Sequence, residues 1–224
     1  LARLPPRAYV AAQSFQLHVG DTLEPERLRH QLAEASYQNV SQVMEPGEYA
    51  VRGGLIDLYP IGSHTPYRID LFGETIESIR EFDAATQRSS RALDAIELLP
   101  AREFPLTDDA IQRFRQGFRA RFEGDPQRVA IYRDISRGLA SPGIEFYLPL
   151  FFEHTASLLD YLPRETICIL DDGAERGARG FWREINDRYE QLRHDVERPL
   201  LSPKEVYWPV DTLLAGLNAH PQVL

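Results

Sequence analysis

From Val40 to about Leu99 the apolar residues stop recurring at helical spacing and begin to alternate, while Gly, Pro, Ser and Asp break the run at short intervals. A period of two sends successive side chains to opposite faces of a strand, so this stretch is constrained to fold as a meander of strands with one apolar face. EYAVR reads as a strand running into Gly53-Gly54, where two residues free to take positive φ allow a bend or bulge. LIDLYP follows and stops at Pro60. PYRIDLF, turned by Gly73-Glu74, returns antiparallel as TIESIREFD, and RALDAIELL closes the set. Ahead of the meander, TLEPERLRHQLAEASY has Pro25 near a helix start and Leu28, Leu32 and Ala35 at helical spacing. It predicts one amphipathic helix packed on its leucine side, with AYVAAQS before it as a short strand entering from upstream. One helix on an antiparallel sheet of about five strands is an α+β unit of a size that can fold alone.

The texture changes after LPAREFPLTDD, a seam with two prolines and a capping Thr107. DAIQRFRQGFRARF places Ile111, Phe114, Phe118 and Phe122 along one side of a helix, and PQRVAIYRDISRGL does the same with Val129, Tyr132 and Ile135. TICIL is a short apolar run suited to a strand covered on both faces, with Cys168 as inert core packing. EINDRYEQLRHD reads as a helix and VYWPV as another strand. The second half is therefore expected to have alternating α/β architecture.

Composition removes several functions. Lys204 is the sole lysine; it follows Pro203 and precedes Glu205, so no Gly-rich loop ending in Lys and Ser/Thr exists to grip phosphates. Asp171-Asp172 after TICIL has the form of a magnesium-holding pair at a strand end, but without that loop it reads better as an acidic helix start. The histidines lie singly, with no metal-ligand spacing, and no nucleophile elbow occurs, so no catalytic residue and no metal ligand is assigned. A formal net charge of -9 argues against a broad basic footprint for nucleic acid. The arginines Arg113, Arg115, Arg119, Arg121, Arg128, Arg133 and Arg137 could meet phosphates, but a solvated face partly neutralised by Glu123, Asp125 and Asp134 is the plainer reading. No run is long and apolar enough to span a membrane, and a cytoplasmic protein is expected.

The informative positions are on the meander. Alternation in PYRIDLF puts Tyr67, Ile69 and Leu71 on a core face and Arg68, Asp70 and Phe72 on the other. Arg52, beside the flexible glycines, can join that second face. Arginine with an aromatic is the composition of interface hot spots. The alternative is that Phe72 packs under a loop or helix and the two arginines pair with Asp70 or Glu74.

The stretch GEYAVRGGLIDLYPIGSHTPYRIDLFGETIESIREFDAATQRS resembles the module shared by the bacterial repair protein UvrB and the transcription-repair coupling factors (Mfd). The flanks ALDAIELLPAREFP, GIEFYLPLFF and LPPRAYVAA are similar to the coupling factors. The resemblance implies a small antiparallel-sheet α+β domain (residues 14–100) inserted into a degenerate RecA-like, UvrB-like α/β domain (residues 1–13 and 101–224). It implies that the inserted domain docks UvrA through positions matching Arg52, Arg68 and Phe72, with Asp70 and Glu74 holding the guanidinium groups. It also implies a longer parent whose motor uses ATP and magnesium and which engages RNA polymerase, double-stranded DNA and its own C-terminal domain. These residues are expected to carry no cofactor and no ATPase, the alternative being a UvrB-type domain that handles DNA through the arginine helices.

Overall fold

The computed structural model describes residues 1–221, which divide into two compact units. One is continuous, residues 8–105; the other is made of residues 1–7 together with the chain from 106 onward.

The continuous unit is the strand meander. Helix α1 (Arg7–Gln13) leads into β1 (Phe15–His18), so AYVAAQS is mainly helical and the strand begins after it. Helix α2 (Pro25–Glu34) starts on Pro25 and buries Leu28 and Leu32. Then follow β2 (Gln38–Asn39), β3 (Glu48–Arg52), β4 (Leu55–Leu58), β5 (Tyr67–Phe72), β6 (Thr75–Phe82), β7 (Ser89–Leu93) and β8 (Ala95–Leu98). Strands β2 to β7 make one six-stranded sheet in chain order, antiparallel except for the short β2–β3 pair. RALDAIELL does not close that sheet as one strand. Asp94 divides it, and β8 turns away to pair with β1 as a separate ribbon.

The two faces of the sheet have different contents. Tyr49, Ile56, Leu58, Ile69, Ile76 and Ile79 point into the core, where Leu28 and Leu32 of α2 and Ile96 and Leu98 of β8 meet them. Ile76 and Ile79 are three residues apart and would point oppositely in a regular strand. The register explains how both reach the core: Asp70 faces Ser78 while Leu71 faces Ile76, so Glu77 is an extra residue in β6. The opposite face carries a small apolar cluster of Val43, Ala50 and Phe82, with Val40 and Tyr59 packed on it, and beside that cluster the charged residues Arg52, Asp57, Arg68, Asp70 and Arg80.

The second unit departs from the expected alternation. Thr107 caps α3 (Asp108–Arg121) by accepting from the Ala110 N–H, and α4 (Ala130–Ser136) lies beside it. Their apolar stripes form an aromatic core in which Phe114 stacks on Phe151 with ring centres 5.2 Å apart and Phe118 lies 5.0 Å from Tyr132. GIEFYLPLFF winds as a 3₁₀ helix over Ile144–Leu150. After it come α5 (Leu158–Tyr161), the long α6 (Ala174–Leu192), α7 (Pro203–Val206) and α8 (Val210–Leu217). Among the described residues this unit has isolated bridges but no strand. VYWPV is helical at Val206 and Val210 with a single antiparallel bridge at Tyr207, and in TICIL only Cys168 makes a bridge-type contact. Ile167 and Ile169 are exposed and Cys168 is half-buried, so the covered strand and inert core thiol read from TICIL are corrected. An apolar run states a preference for burial, and the elements that pack here leave that preference unmet. Overall the chain is mixed α+β with mainly antiparallel sheet. No helix among the described residues is long and apolar enough to cross a membrane.

Candidate partner-binding face

The polar face of the meander is organised by a residue that sequence patterning passed over. Asp57, in the middle of LIDL, is fully buried and is the only buried charged residue among the described residues. Pairing sets Asp57 opposite Arg68, and Arg68 opposite Arg80. Arg68 grips Asp57 with a fork: Nε donates to Oδ1 at 2.7 Å and a terminal nitrogen donates to Oδ2 at 2.9 Å. A planar guanidinium meets a carboxylate well in this two-point geometry. Arg52 donates to the same Oδ2, so one buried carboxylate serves two arginines.

Arg68 has few donors left. Its other terminal nitrogen donates to the Gln87 carbonyl at 3.0 Å, and its guanidinium lies 4.7 Å from the centre of the Phe82 ring. The hydrogen bonds to Asp57 are the main reason its pKa is raised, burial opposing them and the charges of Asp57 and Asp70 adding to them. Its side chain is only 15% exposed, whereas that of Arg52 is 49% exposed. Like charges directly across a sheet repel, so the facing pair Arg68 and Arg80 needs separate counterions. Asp57 serves one and Asp70 the other, with Ser78 donating to Asp70 at 2.8 Å. Burial works to raise the Asp70 carboxyl, but the hydrogen bonds from Arg80 and Ser78 and the nearby arginine charges outweigh it and leave the pKa below the usual value.

Alternation places Arg68, Asp70 and Phe72 on one face as expected, and register brings Arg52 into it through Leu55 and Asp70. Phe72 does not pack under a loop; at 79% exposed it is the most open large apolar side chain of this unit. It stands at the end of β5 against Gly73, whose φ of +64° makes the tight turn, and the Gly53 turn (φ +61°) is at the same end of the sheet. The supporting roles differ from expectation. Asp70 holds Arg80 rather than Arg52 or Arg68, and Glu74 contributes its carbonyl, which accepts from the Leu23 N–H at 2.6 Å. A lone Asp at a position flanked by Ile and Leu was the available signal for the real counterion.

In the second unit Arg113 pairs with Glu153 and Arg121 with Glu205, not with Glu123, Asp125 or Asp134. Asp125 caps a 3₁₀ turn and Asp134 accepts from Ser141. Asp171 accepts from the Gly173 N–H at 3.1 Å in the turn before α6. Lys204 lies within the four-residue α7, and no group of three or more His, Cys, Asp or Glu gathers among the described residues. This donor set does not fit a nucleotide-magnesium site.

Residues 15–104 match the UvrB interaction domain, the stretch that forms the meander. The whole chain aligns at 42% identity with the transcription-repair-coupling factor of Haemophilus influenzae and at 39% with that of Escherichia coli, covering 20% of each. Three-quarters of it aligns at 34% identity with the same factor of Bacillus subtilis, covering 16% of that protein. The chain belongs to the transcription-repair-coupling factor family. It spans about a fifth of the length of the coupling factors it matches. Within that family segment the UvrB interaction domain match coincides with the sheet carrying Asp57, Arg52 and Phe72, not with the helical unit.

Proposed function

We propose that the meander of this coupling-factor segment is a docking module for UvrA and brings excision repair to stalled transcription. The observation that carries the reading is Phe72, a solvent-open aromatic on a rigid strand end, on the face that also holds the half-exposed Arg52. A partner that closes over Phe72 removes a large apolar side chain from water, as interface anchors do. Arg52 keeps donors free beyond its bond to Asp57 and can meet a partner carboxylate or carbonyl. Asp57 and Arg68 hold Arg52 and the sheet surface in place before binding, which reduces the ordering cost of association.

The domain reading places residues 14–100 as an insertion in a degenerate UvrB-like domain formed by residues 1–13 and 101–224. It is supported by the path of the chain, since the continuous unit interrupts the discontinuous one. The ATP- and magnesium-using motor, the RNA polymerase and double-stranded DNA contacts and the C-terminal domain belong, in this reading, to the rest of the longer protein. The segment itself binds and does not hydrolyse.

Calorimetric titration with UvrA tests the proposal. The chain should bind, and Phe72→Ala, with an unchanged circular dichroism spectrum, should weaken binding by at least tenfold. Equal binding by the folded variant would place the contact elsewhere.

A further inference from the structure

The arginines of α3 and the one that follows α4 divide into two groups, while Arg133 within α4 donates to the Gln127 carbonyl. Arg113 and Arg121 are occupied by Glu153 and Glu205. Arg115, Arg119 and Arg137 have no carboxylate hydrogen-bond or ion-pair partner among the described residues, and all three line one cavity of about 710 Å³ between α3 and the end of α4. Asp108 is the only carboxylate in its wall, so the cavity holds a formal surplus of two positive charges. A concave site with a surplus of one sign of charge and low-dielectric walls concentrates its field.

The guanidinium groups are also oriented. The Arg115 Nε donates to the Ser136 hydroxyl at 3.1 Å, leaving both terminal nitrogens for a ligand. Arg119 lies 5.8 Å from the centre of the buried Tyr132 ring, a contact that uses none of its N–H groups. Planar guanidinium forks match the oxygens of a phosphoryl group, and several together favour a ligand with more than one charge. Gln112 and Gln116 add neutral amide donors, and Leu106 and Ile111 an apolar wall. The chain as a whole carries a net charge of -9, which repels an extended polyanion while leaving a local pocket attractive to a short one.

We infer that this cavity is a binding site for a compact phosphate-bearing anion, either a free di- or triphosphate or the terminal phosphate of a nucleic-acid strand. It is separate from the sheet face assigned to UvrA and does not depend on that assignment.

The test uses the 224-residue chain. Pyrophosphate, magnesium-free ATP and a short single strand with or without a 5′-phosphate are titrated by calorimetry. The same titrations are run on Arg115→Gln/Arg119→Gln/Arg137→Gln and on a control of equal charge change, Arg113→Gln/Arg121→Gln/Arg133→Gln, with folding checked by circular dichroism. Saturable binding of pyrophosphate is expected, weakened at least tenfold in the first variant and less than twofold in the control. If the first variant unfolds, Arg119→Gln alone replaces it and should cost at least threefold. Binding of the strand only when 5′-phosphorylated identifies a nucleic-acid end as the source, and binding of the free anions alone identifies a small molecule. Absence of saturable binding, or equal loss in both variants, overturns the site.

Discussion

The sheet unit and the helical unit bury their apolar residues to very different degrees. Residues 8–105 put their Leu, Ile and Tyr side chains between the sheet, α2 and β8, and the one strongly exposed aromatic is Phe72, at a strand end. The helical unit has a dense aromatic knot around Phe114 and Phe118, yet between Leu158 and Val196 it leaves Leu158, Ile167, Ile169, Leu170, Phe181, Leu192 and Val196 open. Helix α6 is amphipathic over nineteen residues and buries none of them; Phe181 meets Tyr207 edge-on at 5.5 Å and still remains exposed. Open apolar side chains over a longer stretch make a broad patch, whereas Phe72 beside the half-exposed Arg52 is a single anchor of the kind that interface hot spots use. The UvrB interaction domain match over residues 15–104 and that anchor direct the functional reading to the sheet.

Four measurements break or sharpen that contrast. The largest effect is expected at the one well-packed part of the helical unit: Phe114→Ala should cost about 3 to 5 kcal/mol in urea unfolding, as for other buried phenylalanines. A cost below about 1 kcal/mol would show that the aromatic knot is as loosely held as the surface beyond it. On the sheet, Asp57→Leu leaves two arginines without their shared counterion and should cost about 3 kcal/mol, toward the low end for a broken buried pair because Arg52 reaches water. It should also weaken UvrA binding more than an equally destabilising core change such as Ile79→Ala. Equal weakening by the two would remove the positioning role.

A smaller effect is expected in alkali, with one reporter in each unit. Burial pushes Tyr37 and Tyr147 up to about 12 in the folded chain, from an ordinary value of about 10. Because the folded values are raised, their contribution to stability is complete below pH 10 and is lost as pH rises toward 12. Ultraviolet titration should show these two ionising late, and Tyr37→Phe and Tyr147→Phe should each remove part of the late phase. Ionisation of either near pH 10 would mean that its surroundings open to water before the unit unfolds. The smallest effect on stability is expected from Ile167→Ser, Ile169→Ser and Val196→Ser together. Stability should change by only about 0.5 kcal/mol per site or less, while binding of a hydrophobic dye falls clearly. A large loss of stability would show that these side chains are packed in solution after all.

Much of the sheet unit was legible in the sequence because its local signals agree. The helix at Pro25, the alternation in PYRIDLF and the glycines at 53, 54 and 73 each act over a few residues, and together they put Arg68, Asp70 and Phe72 on one face. The choice of counterion was not legible. Asp57 and Arg68 are eleven residues apart, and they face each other because β4 and β5 pair in one register. Shifting that pairing by one residue would offer the arginine a different neighbour. The division of the α3 arginines was equally hidden, since Glu153 and Glu205, the partners of Arg113 and Arg121, come from segments remote in sequence.

The sequence by itself determined the periods, the turns, the helix starts and the lack of a phosphate-gripping loop, all of which depend on residues close together along the chain. It also marked TICIL as apolar. Only the tertiary structure decided that Asp57 is buried between two arginines, that Phe72 stays in water, and that the apolar side chains at 167, 169 and 170 remain exposed. Burial and ion pairing depend on which segments meet in space, and that is set by strand register and packing rather than by the pattern of any one segment.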